Sequence, residues 1–154
     1  MNHWKKNRIR AAQQHQNPMV MARMRTGFAV IGDTQFLPGY CVLLPDEEYP
    51  SLEALPYQKR SDYLLDMSLI GDAILHVCKP IRVNYSIYGN TDAFLHAHIF
   101  PRYSWEPAER IPYPVWQYPK QNWTDENEQF QEDKHGSLRT KITKHLHTLM
   151  KDAY

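Results

Sequence analysis

The chain is poor in cysteine: Cys41 and Cys78 are the only two in 154 residues. Two thiols cannot hold a domain of this size together, and their separation matches no short metal or redox spacing. A disulfide-built secreted scaffold is therefore excluded, and a reducing cytoplasm is the expected compartment. Long apolar runs are also missing. None approaches the roughly 18 residues needed to span a bilayer, so no membrane helix is expected. The basic opening, MNHWKKNRIRAAQQHQ, lacks the uninterrupted apolar stretch of a secretory signal. Charge of one sign is absent too: 18 Lys and Arg against 17 Asp and Glu leave a net charge of +1. That balance speaks against a protein that coats nucleic acid, though not against a small anionic ligand, which needs only local charge. No fixed-period repeat appears. The length suits a single domain over residues 1–154.

Proline and aromatic residues are plentiful instead. Along the chain, residues 2–16 read as a helix closed by Asn17-Pro18, since the residue before proline is pushed out of the helical region. Residues 19–32 read as two short strands broken near Thr26-Gly27, and DTQFLPG as a turn that is tightest at Pro38-Gly39. YCVLLP, 40–45, is an apolar strand. Residues 58–78 carry Leu64, Met67, Ile70, Ile74 and Val77 at three- and four-residue steps, the mark of a long helix with one apolar stripe. Strands are expected over 81–89 and 94–101, joined by the short turn GNTD. Residues 106–124 form a proline- and aromatic-rich extension. Proline that dense excludes a long helix, and aromatics that frequent exclude a solvated linker, so the segment should lie on the protein or on a second copy. TDENEQFQEDKHG reads as an exposed loop. Ser137 is then the expected cap of a last helix, 137–152, with Leu138, Ile142, Leu146 and Leu149 on one face. The sum is an α+β domain on a mostly antiparallel sheet, with one long crossing helix and helices at both ends. Its core is expected over about 19–105.

FLHAHIFP holds the chemistry. Side chains alternate across a strand, so Leu95, Ala97 and Ile99 share one face while Phe94, His96, His98 and Phe100 share the other. Two imidazoles then stand about 6.6 Å apart along the strand. Three readings are open: hydrogen-bonded histidines on a half-buried strand, half of a metal site, or a nucleophile with its helper. Metal binding needs at least a third protein ligand. No CxxC or HExxH motif supplies one, and the remaining histidines show no supporting spacing. Neutral imidazole is a usable nucleophile at pH 7, which keeps covalent catalysis open.

GNTDAFLHAHIFPRY resembles the signature of the histidine-triad (HIT) superfamily, in which histidines alternate with apolar residues ahead of a Pro-Arg or similar pair. Upstream, GFAVIGDTQFLPGYCVLLP is similar to that family's strand, Pro-Gly turn and strand. The helix at 58–78 and VNYSIYGN follow in the family's order, so the resemblance spans about residues 25–105. It implies a HIT-like fold, commonly a homodimer, and a nucleotide hydrolase or nucleotidyl transferase. Such an enzyme acts at the α-phosphate of dinucleoside polyphosphates or related nucleotides through a covalent nucleotidyl-histidine. Aligned on Pro101-Arg102, the nucleophile falls on His96 and the third triad position on His98, while Phe94 stands where the first histidine belongs. A shifted alignment makes His98 the nucleophile and leaves Phe100 third. Tyr40 is a second departure, at a position where many relatives carry histidine.

The resemblance also implies substrate contacts. Asn90 resembles an amide donor in the family's Gly-Asn turn, Asn84 would orient the site, and Arg102 would contact phosphate or serve as a structural landmark; Asp33 would accept from ribose hydroxyls or bond its own turn, since counting back from Pro-Gly without a gap puts Gly32 at the family's ribose position. No resident metal is expected, although Mg²⁺ can travel with a polyphosphate. The partners expected are a nucleotide and a second copy of the chain, with neither nucleic acid nor membrane. The losses at positions 40 and 94 keep an alternative in view: a nucleotide-binding sensor with little turnover.

Overall fold

The computed structural model describes residues 3–154. Five strands form one antiparallel sheet: β1 (Val20–Arg23), β2 (Gly27–Ile31), β3 (Cys41–Pro45), β4 (Arg82–Ser86) and β5 (Ala97–Arg102), in the order β1-β2-β3-β5-β4. α1 (Arg8–Gln13) precedes the sheet, α2 (Tyr57–Cys78) crosses from β3 to β4, and α3 (Lys120–Thr124) and α4 (Glu132–Ala153) follow β5. Among the described residues no helix is long and apolar enough to cross a membrane.

The sheet is two-sided, and each side has its own core. On one side, Leu43, Ala97 and Ile99 meet Leu69, Ile70, Ala73 and Ile74 of α2, which in turn is backed by Ile142 and Leu146 of α4. Most of these side chains are fully buried, and each contributes about 1.5–3 kcal/mol relative to exposure. On the other side, Phe36, Leu37, Tyr40 and Phe100 are covered by Val115 and Tyr118 of the proline-rich segment. That segment therefore lies on the protein itself as a strap. Its anchor is a buried ion pair. The side chains of Arg102 and Glu106 are 5% and 0% exposed and approach to 3.0 Å, and Glu106 also accepts from the Tyr118 hydroxyl and the Tyr103 amide.

Several sequence expectations shift in register. The helix over 2–16 is a 3-10 turn at His3–Lys6 followed by α1, because Asn7 takes an extended conformation and its side chain accepts from the Arg10 amide; residue 2 lies outside the described residues. The buried stripe of α2 runs through Tyr63, Asp66, Ile70 and Ile74, while Leu64 is exposed. Two polar partners rotate it inward. The Tyr63 hydroxyl donates to the Leu43 carbonyl, and Asp66 accepts from the Thr26 amide and hydroxyl. Pairing in β5 begins at Ala97 rather than Phe94, so β4 and β5 are joined by residues 87–96, far more than a four-residue turn. α4 starts at Glu132, which places Ser137 inside the helix instead of at its cap. Residues 128–130 are no free loop: the Glu128 backbone carbonyl accepts from the Gln35 amide and the Phe130 amide donates to the Asp33 backbone carbonyl, which pins the segment to the turn after β2.

Candidate active site

Register across the sheet builds the site. Val30 pairs with Val42, Val42 with His98, and His98 with Ser86, so one cross-strand row carries an apolar floor to the imidazole. His96 lies just before the ladder of β5, and its ring meets that of His98 edge-on at 4.8 Å. Trp116 of the strap stands edge-on to His98, also at 4.8 Å, and stacks on Trp123 at 5.1 Å.

The ring nitrogens are placed unequally. His96 Nδ1 lies 2.8 Å from the Phe94 carbonyl oxygen. A carbonyl only accepts, so Nδ1 carries a proton, and in the neutral ring it is Nε2 that keeps the lone pair. His98 Nδ1 lies 2.7 Å from the Tyr40 hydroxyl. Burial, and then the nearby His96, push the pKa of His98 down to about 4, so it is neutral at ordinary pH. Tyr40 itself is buried and its phenol pKa is strongly raised, chiefly by desolvation and then by the charge of Asp33. Pro38-Gly39 makes the turn that delivers Tyr40, with Gly39 at φ +105, where a side chain would be strained.

Two cavities meet at this pair. One, of about 470 Å³, is bounded by Tyr88, Asn90, Thr91 and Asp92. The other, of about 360 Å³, is bounded by Arg8, Val30, Gly32, Asp33, Val42 and Trp123. His96, His98, Asp92 and Trp116 belong to both walls. A larger cavity of about 720 Å³ between β4 and residues 111–116 touches neither histidine. Of these three cavities, the two smaller ones are bordered by imidazoles whose Nε2 atoms have no partner among the described residues, which makes them, rather than the larger one, the candidate site. Among the described residues, no group of three His, Cys, Asp or Glu side chains is placed to hold a metal ion.

The structure brings His96, His98 and Asn90 together and treats the other candidates differently. Asp33 borders the 360 Å³ cavity, but Arg8 grips both its oxygens, at 2.9 and 2.6 Å. Arg102 cannot reach phosphate. It is 4% exposed, and its five N–H groups go to Glu106, Asn84, Tyr113 and Arg110. Asn84 shares the sheet face of His98 but orients Arg102, through its side-chain oxygen at 2.9 Å, and both line the larger cavity instead. Arg8 and Tyr88 had no sequence signal as site residues, and Trp116 had only that of its segment, which could cover the site or cross to a second copy. Arg8 comes from a helix outside the motif, and Trp116 comes from a segment whose aromatic density marks packing without saying against what.

No protein-family model matches the chain, and no curated protein matches its sequence. Solved structures do match in fold. A histidine triad protein from Marinobacter aquaeolei is 21% identical, with a TM-score of 0.70 over 84% of this chain and 89% of its own. A histidine triad protein from Sinorhizobium meliloti is 16% identical, with a TM-score of 0.70 over 87% and 93%. A diadenosine triphosphate hydrolase from Plasmodium falciparum is 13% identical, with a TM-score of 0.59 over 84% and 77%.

Proposed function

We propose that this chain, whose fold is that of the histidine-triad proteins, is a nucleotide hydrolase or nucleotidyl transferase working through His96. The observation that carries the reading is the hydrogen bond from His96 Nδ1 to the Phe94 carbonyl. It leaves the Nε2 lone pair free where two cavities join. The 360 Å³ cavity, walled in part by Val30, Val42 and Trp123, suits a nucleoside, and the 470 Å³ cavity gives room for a leaving group across the reacting phosphorus.

In the first step His96 Nε2 attacks the α-phosphorus. A P–N bond forms, the P–O bond to the leaving group breaks, and that oxygen keeps the electron pair and takes a proton from solvent. The proton on Nδ1 remains, and the Phe94 carbonyl steadies the charge that the ring acquires. In the second step water attacks phosphorus, the P–N bond breaks, and one water proton is released. With phosphate in place of water the same site is a phosphorylase. Splitting one displacement into two is the gain of covalent catalysis. Phosphoryl transfer depends chiefly on positioning and on donors around the equatorial oxygens. Asn90 and His98 are the donors in this reading, and Mg²⁺ enters with the polyphosphate.

Diadenosine polyphosphates are the substrate class to test, by adenylate release and by an intact-mass search for a nucleotide adduct. His96→Ala should abolish both while the thermal melt stays near that of the wild type, since the half-buried ring supports little packing. Phe94 in place of the first histidine favours one alternative, a nucleotide-binding sensor. Tight binding without product, unchanged by His96→Ala, would establish it. A homodimer belongs to the same reading: β4 is an edge strand, and Ile81, Tyr85 and the neighbouring Leu75 of α2 are exposed. Light scattering in solution tests it.

A further inference from the structure

Tyr40 is held more firmly than a cavity wall needs. Its ring stacks on Phe100 at 3.9 Å and 5°. Gly32 lies flat against it, and a Cβ there would come within 2.2 Å of Tyr40 Cδ2. Its carbonyl accepts from the Gly32 amide and from Gln35 Nε2, at 2.8 and 3.0 Å. These contacts leave the phenol oxygen one place to go, 2.7 Å from His98 Nδ1.

Among the described residues that hydroxyl has no other partner. A buried O–H without an acceptor loses about 1–3 kcal/mol. If His98 Nδ1 carried the proton, the tyrosine oxygen would accept it and its own O–H would be orphaned. With protein partners alone, the network is satisfied only when the hydroxyl donates to a bare Nδ1. His98 must then carry its proton on Nε2, the nitrogen that has no protein partner among the described residues, and the ring lines both cavities.

We propose that Tyr40 is a positioning residue for His98: its O–H locks the Nε2–H tautomer, so that this N–H is presented to an oxygen of the bound phosphoryl group. The acceptor's identity rests on the nucleotide reading; the tautomer does not. The two imidazoles thereby take opposite tautomers. His96 offers a lone pair at Nε2 because a carbonyl holds its Nδ1–H. His98 offers a proton at Nε2 because a hydroxyl fills its Nδ1 lone pair. His98 acts as a hydrogen-bond donor, with no proton transferred.

The test is long-range ¹H–¹⁵N correlation spectroscopy of the full chain at pH 7, which reports the protonated nitrogen of each histidine. Tyr40→Phe keeps the ring stack and removes only the O–H. The wild type should show His98 with Nε2 protonated and Nδ1 bare, and Tyr40→Phe should show both tautomers. Turnover of a diadenosine polyphosphate should slow about tenfold through kcat with KM little changed, because the donor is misaligned at the transition state more than in the ground state. Fluorotyrosine at position 40, which keeps the hydroxyl, should retain the wild-type tautomer and rate. A wild-type His98 protonated on Nδ1, or a tautomer unaltered in Tyr40→Phe, overturns the proposal. A chain that turns over no nucleotide but shows the Tyr40-dependent tautomer supports the positioning and removes the enzymatic reading alone.

Discussion

Glu106→Gln removes one charge from the anchor of the strap and leaves its shape nearly intact. The carboxylate accepts from Arg102 Nε and Nη2, from the Tyr118 hydroxyl and from the Tyr103 amide. Each carboxylate oxygen meets an Arg102 N–H, which cannot accept, so the new amide NH₂ must face one of them. Arg102 is left charged, with only carbonyl and amide oxygens around it. An exposed ion pair would lose about 0–1 kcal/mol. Side chains 5% and 0% exposed place this pair in the other regime, where removing one partner costs about 3–5 kcal/mol. In a chain of this length each kcal/mol lowers Tm by about 2–4 °C, so a fall of roughly 6–20 °C is expected. Unfolding followed by tryptophan fluorescence suits the measurement, since Trp116 and Trp123 stack within the segment that the pair holds.

The effect also has a pH signature. Burial alone would raise the Glu106 carboxyl; the bonds from Arg102, then Tyr118 and Tyr103, outweigh it and hold the pKa below the usual carboxylate range. The folded state therefore binds that proton less readily than the unfolded chain does. The stability is whole above the ordinary carboxylate pKa and is lost as pH falls through the lowered one. The gap between wild type and Glu106→Gln should close in acid. A variant within about 1 kcal/mol of wild type at pH 7, as for an exposed pair, or a gap that widens in acid, refutes the assignment.

Gly32→Ala pushes a methyl group into the Tyr40 ring, so it should cost about 1–3 kcal/mol by overpacking and weaken the bond to His98; an unchanged melt contradicts the contact. His98, with its pKa near 4 in the fold against an ordinary 6.5, binds fewer protons folded than unfolded between those values. Its share of stability is thus full above pH 6.5 and falls as pH drops toward 4. Urea unfolding across that range should show a slope that His98→Gln diminishes, and an equal slope in both proteins dismisses the effect. Nucleotide titration should quench tryptophan fluorescence, with most of the change lost in the double variant Trp116→Phe/Trp123→Phe, because Trp116 borders both histidine cavities and Trp123 the smaller one. A quench of the same size in that variant moves the binding site elsewhere.

The local pattern carried much of this molecule. Alternation in FLHAHIFP set Ala97 and Ile99 toward α2 and His98 toward the opposite face, as the pleat dictates, and His96, just before the ladder, falls on the side of His98. The long helix was legible in its apolar spacing, but its rotation was not. Tyr63 and Asp66 turn inward to bond the Leu43 carbonyl and Thr26, partners far away in sequence.

The site divides along the same line. Sequence pattern alone determined that two imidazoles share a face beside a Gly-Asn turn, and that dense proline and aromatic residues after position 103 would pack rather than dissolve. Only the tertiary structure decided what each group is free to do. It tied Arg102 to Glu106 and Asp33 to Arg8, removing both arginine and aspartate as ready substrate contacts, and it set Tyr40 against His98. Pleat and helical period are properties of neighbouring residues, whereas a hydrogen-bonding group's availability depends on which distant partner the fold has already given it.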